Sequence, residues 1–140
     1  MASQHDLATT LLALAADDLA AAKTLLDAES SALIVGFHCQ QAVEKALKAV
    51  LAERGADFPY THDVGLLIQL CEDAATAPPE ELRDIDRLTP FAVQARYSGV
   101  QVPDLALETA LAWADETLEW SRAQLESSET TEQRAQDPPH

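Results

Sequence analysis

The sequence predicts an all-α protein, built as an antiparallel up-and-down four-helix bundle with an additional short helix. Three observations carry that prediction. Ala and Leu, both strong helix formers, supply much of the 47% hydrophobic content, while β-branched residues are sparse. Only four glycines occur, and the seven prolines fall mostly between periodic stretches rather than inside them. Apolar residues recur at steps of three and four, the period of a helix with one buried face.

The elements follow in order. A first helix is expected over residues 6–29, with Leu7, Leu11, Leu14, Ala15, Leu19, Ala22, Leu25 and Leu26 on one side. Glu29, Ser30 and Ser31 break it and offer a serine as the next N-cap. A second helix is expected over residues 32–54, stopping at Gly55, a favoured residue just past a helix end. After the loop ADFPY, a third is expected over residues 61–74, with Thr61 as its cap and Asp63 placing negative charge in the first turn. A fourth helical segment should open at Pro79, be kinked or broken by Pro90, and continue to about Tyr97. SGVQVPD reads as a loop, and a long helix is expected from Pro103 to Glu126. One domain over residues 1–126 is expected, followed by a disordered acidic tail over 127–140 that has no apolar face.

Charge narrows the function classes. Twenty-four acidic residues against nine basic ones give a formal net charge of −15, a surface that repels phosphate backbones at long range. No DNA partner is expected, and the balance suits a basic protein partner. Cys39 and Cys71 form no CxxC or Cys/His pattern, and buried thiols are their default reading. No uncharged apolar run approaches membrane-spanning length, and the N-terminal segment lacks a basic region ahead of its apolar run. A cytoplasmic protein is expected, with no membrane contact. No Gly-rich phosphate loop, HExxH, zinc pattern or GxSxG elbow is present, so neither a metal nor a cofactor is expected. Asp17, Asp18, Asp84 and Asp86 read as exposed helix faces.

The second helix holds an anomaly. Gly36, Gln40, Glu44, Leu47 and Leu51 share one helical meridian, so an amide and a carboxylate stand inside the apolar stripe. His38, Gln41, Lys45 and Lys48 flank them. A carboxylate entering a core needs a cation or several hydrogen-bond donors. The expected partner is Arg96, with Gln40 adding hydrogen bonds; His62 is the next candidate, and Lys48, one turn on, competes. A structural pair that fixes helix register and a ligand-binding polar pocket both fit this pattern. Trp113 and Trp120, seven apart on the last helix, suggest a core stripe or a dimer surface.

Four stretches carry a resemblance: 15-AADDLAAAKTLL-26, 40-QQAVEKALKAVL-51, 61-THDVGLL-67 and 88-LTPFAVQARYSG-99. Together they make the chain resemble the HEPN domain over about residues 7–125. The resemblance implies a four-helix core with an extra short helix, often paired into a homodimer. It also implies two kinds of work. Some HEPN domains are metal-independent ribonucleases, often toxins, using an Arg-x4–6-His motif at a dimer cleft. Others lack that motif and serve as nucleotide- or substrate-binding partners of minimal nucleotidyltransferases.

This chain departs from the nuclease pattern. No histidine follows Arg96 within reach, and seven residues separate Arg54 from His62. The preferred reading is therefore a non-catalytic, dimeric partner of a separate-chain nucleotidyltransferase, as in a toxin–antitoxin pair. Gln40, Gln41, Glu44, Lys45, Lys48, His62, Asp63, Arg96 and Tyr97 would line a site for nucleotide or RNA. The alternatives are a ribonuclease with Arg96, His62 and Glu44 as a rearranged catalytic set, and a purely structural dimerisation module.

Overall fold

A computed structural model describes residues 3–94 and 102–136 of the chain. The all-α expectation is borne out: five α-helices and two 3₁₀ turns, with no strand among the described residues.

Helix α1 spans Gln4–Asp27 and begins two residues earlier than expected, because Ser3 and Asp6 form a reciprocal cap. The Asp6 amide donates to Ser3 Oγ at 3.1 Å, and the Ser3 amide donates to Asp6 Oδ2 at 3.0 Å. Helix α2, Ala32–Glu53, starts at the N-cap Ser31 and gives way at Gly55, which adopts φ +70°. Glu29 and Ala75 close α1 and α3 in the same left-handed conformation without being glycine, at φ 57° and 59°.

Helix α3 is Val64–Asp73. Its N-cap is Asp63 rather than Thr61: Asp63 Oδ1 accepts from the Leu66 amide at 3.2 Å, while Thr61 Oγ1 accepts from the Asp63 amide at 3.0 Å. The helix starts late because the carbonyls of Thr61 and His62 are already engaged by α2 side chains, which holds that segment outside the helix. The fourth segment is not one α-helix. Residues Glu80–Leu82 and Ile85–Leu88 form 3₁₀ turns, and only then does α4, Thr89–Gln94, begin. Pro90 opens α4 instead of kinking a helix, at a position whose missing N–H would have no intrahelical partner anyway. The expected end of this segment near Tyr97 lies outside the described residues. The last helix, α5, is Leu107–Gln136, beginning after Pro103 and running ten residues past Glu126. Glu, Gln, Arg and Ala in that extension have good helix propensity even without an apolar face.

Packing directions can be read from cross-links between helices. His5, at the start of α1, meets Glu53, at the end of α2, so the two run antiparallel. Ser121 Oγ donates to the Ala46 carbonyl at 2.8 Å and Arg54 Nη2 donates to Gln124 Oε1 at 3.1 Å, so α5 runs with α2. These three long helices pack on one another, and α3, α4 and the second 3₁₀ turn cover another side of α2. Close approach comes from small residues: Ala8, Ala15 and Ala22 on α1, Ala42, Ala46 and Ala49 on α2, and Ala110 and Ala114 on α5 are almost wholly buried. Every residue from Ala46 to Ala52 is buried, which makes α2 the axis of the molecule.

One glycine is required by packing. A Cβ on Gly36 would stand 2.2 Å from Cδ1 and Cε1 of the fully buried Phe91, so α4 sits on α2 only because position 36 has no side chain. Cys39 and Cys71 are free, buried thiols, and burial pushes both up to about 12. Trp113 and Trp120 are half-buried against the core. No helix among the described residues is long and apolar enough to cross a membrane.

Candidate functional site

The polar residues of the α2 stripe meet in one buried cluster. Gln40, Glu44 and Lys48 follow one another at single-turn spacing, facing the segment from Phe58 to Asp63 that leads into α3. Glu44 Oε1 accepts from Gln40 Nε2 at 3.2 Å and lies 2.7 Å from His62 Nδ1. Its other oxygen, Oε2, accepts from Lys48 Nζ at 3.3 Å. The Glu44 side chain is only 5% exposed, so three donors on two oxygens replace the water it has lost.

Lys48 is satisfied in the same way. Its ammonium donates to Glu44 and, at 2.9 Å, to the Thr61 carbonyl. The rings of Phe58 and Tyr60 stand 5.9 and 5.8 Å from Nζ, within the range where an aromatic face attracts a cation. Gln40 Nε2 also donates to the His62 carbonyl at 3.2 Å, and Gln41 Nε2 donates to Gln40 Oε1 at 2.6 Å. Two side chains of one helix thus hold two successive backbone carbonyls of another segment. That geometry pins the loop onto α2 whatever side chains the loop carries.

The Glu44 partners found here are Lys48 and His62, the two that stood behind Arg96 in the sequence reading. Arg96 and Tyr97 lie outside the described residues. Two other candidates stand apart. Asp63 caps α3 with its own carboxylate. Lys45 turns to the opposite flank of α2, where Asp18 of α1 bridges it and His38, the latter at 3.1 Å. Asp18 is therefore not an exposed helix-face residue: its side chain is 14% exposed and joins α1 to α2. Neither Asp18 nor the Thr61 carbonyl announced itself in the sequence. The spacing of His38 and Lys45, two turns apart on one face, was the only hint of a shared acid.

A carboxylate can only accept, so the short contact assigns the His62 proton to Nδ1. A histidine oriented by a carboxylate is the arrangement used for general acid–base work. Lys45 and Lys48, the cations on the same helix, are each committed to a carboxylate. Among the described residues, no three His, Cys, Asp or Glu side chains gather as a metal site.

The family model of the HEPN domain matches residues 8–124, from the first turns of α1 to the middle of α5. The chain belongs to the HEPN domain family. No curated protein and no solved structure matched it. Within this HEPN domain, the QQAVEK stretch supplies Gln40, Gln41 and Glu44 of the buried cluster, and THD supplies both its histidine and the cap of α3.

Proposed function

We propose that this HEPN domain is a non-catalytic, dimeric binding partner of a separate minimal nucleotidyltransferase, as in a toxin–antitoxin pair. One observation carries the reading: among the described residues, the carboxylate and the two lysines of α2 that could hold a ligand are engaged inside the protein. Both oxygens of Glu44 are engaged, Lys48 is divided between Glu44 and the Thr61 carbonyl, and Lys45 belongs to Asp18. Such a cluster locks α2 to the start of α3 and gives the bundle a single register. The net charge of −15 supports a basic protein partner over a polyanion.

A second reading has its own support. The 2.7 Å contact between His62 and Glu44 is that of an oriented base, which favours a ribonuclease with Arg96 as its phosphate-binding cation. An RNA-cleavage assay without added metal, on wild type, His62→Ala and Arg96→Ala, separates the two. The partner reading expects no cleavage by any of them, with co-purification of a co-expressed minimal nucleotidyltransferase. Cleavage lost in both variants would replace it with the ribonuclease reading.

A further inference from the structure

The first 3₁₀ turn and the middle of α5 enclose an open groove of about 510 Å³, lined by Pro79, Glu81, Leu82, Glu116, Glu119 and Trp120. Its floor is apolar: Leu82 is buried in the core, and Trp120 packs half-buried against both hydrophobic clusters. Its rim has one sign. Glu81, Glu116 and Glu119 are all exposed, and no cation is among the described lining residues. Spacing explains why they converge, since positions 116, 119 and 120 share one face of α5. The acidity continues next door, where Glu80, Glu81 and Asp84 border a second concavity and Arg83 is tied to Glu80 at 3.2 Å.

The same helix shows how an indole is satisfied elsewhere. Seven residues before Trp120, Trp113 is covered by the Arg87 guanidinium at 5.8 Å. Among the described residues, no cation stands over Trp120. Among the described residues, one indole therefore has its cation from within the chain, while the other is bordered by three carboxylates.

We propose that this groove receives an arginine or lysine side chain from a basic, amphipathic segment of a partner protein. The cation stacks on Trp120 and pairs with the glutamate rim, while a neighbouring apolar side chain settles on Leu82 and Pro79. The volume falls within the range of ordinary ligand pockets, roughly 300–1,000 Å³, so more than one side chain enters. A second copy of this chain docked here about a two-fold axis is a poor occupant, because it would set this glutamate rim against itself. The inference deepens the partner reading and rests on it only in that the occupant comes from another chain.

The test uses the full chain carrying Trp113→Phe, which leaves Trp120 as the only indole. It is titrated with a capped peptide of alternating arginine and leucine, and with a control in which glutamate replaces arginine. Trp120 emission is expected to respond to the first peptide and not to the second. Glu81→Gln/Glu116→Gln/Glu119→Gln, three exposed changes that spare the core, should weaken binding about tenfold, as several surface ion pairs together would. Calorimetric titration of the wild type should give the same affinity. Unresponsive emission, or equal affinity in the triple variant, would overturn the proposal. A solution dimer that Trp120→Leu dissociates would assign the groove to a second copy and overturn it too. Continued capture of the nucleotidyltransferase without peptide binding would remove this inference alone. Peptide binding without that capture would support the groove and leave the partner reading to fall by itself.

Discussion

Replacing Gly36 with alanine should destabilise the protein, against the usual direction for a helix. Inside an ordinary helix, Gly→Ala gains about 0.8–1.0 kcal/mol. Here the added Cβ would lie 2.2 Å from two carbons of the Phe91 ring and 2.6 Å from a third. Carbon pairs prefer about 3.5–4.0 Å, so the ring must retreat by more than about 1 Å. Phe91 is fully buried and has no open side to retreat into. Overpacking of this kind costs about 1–3 kcal/mol, and the severity of the overlap places it at the upper end. Subtracting the helix gain leaves a net loss of about 2 kcal/mol. Urea unfolding followed by far-UV circular dichroism measures it directly. The decisive control is a Phe91→Ala background, itself costing about 3–5 kcal/mol, in which Gly36→Ala should become neutral or favourable. A single Gly36→Ala variant as stable as wild type would refute the reasoning, as would equal losses in both backgrounds, which would show that the two positions do not meet.

Other expectations concern charge and burial. Glu44→Leu leaves the Lys48 ammonium buried without its carboxylate and should cost about 3–5 kcal/mol, while Glu44→Leu/Lys48→Met should recover most of it in the same unfolding assay. The Asp6 carboxyl is lowered from its ordinary 3.8, chiefly by its bond to the Ser3 backbone amide. A depressed acid stabilises above its unfolded value and loses that effect as pH falls through the native one. The stability gap between wild type and Asp6→Asn should therefore be constant above pH 3.8 and close below it, as acid titration of the two would reveal. Cys39 and Cys71, pushed up to about 12 by burial, should resist a thiol reagent in the native state and react at the rate of unfolding, which timed labelling in urea checks.

Periodicity was enough to place α1 and α2, because their apolar faces repeat over many turns, and Gly55 marked the end of α2 correctly. The family was legible in the QQAVEK, THD and AKTLL stretches. Glu44 stood out as a buried acid, since a carboxylate at a core position breaks the pattern around it. Its partners were harder. Lys48 was visible at i,i+4 and His62 as a nearby candidate, but the bonds to the Thr61 and His62 carbonyls have no residue-type signature. Every residue has a carbonyl, so no sequence pattern marks the one that will be used. The region from Glu80 to Leu88 misled for a related reason: short 3₁₀ turns and an α-helix share much of the same local composition. The meeting of Gly36 with Phe91 depends on how α4 docks, which no local rule encodes.

The enclosure of α2 has a consequence for how the molecule breathes. From Ala46 to Ala52 every residue of the helix is buried, so its amides have no local route to solvent. Their deuterium uptake should report the global unfolding free energy, while the amides of the peripheral 3₁₀ turns exchange through small, frequent openings. The molecule would then open from its periphery inward, with the central helix the last segment to lose its protons.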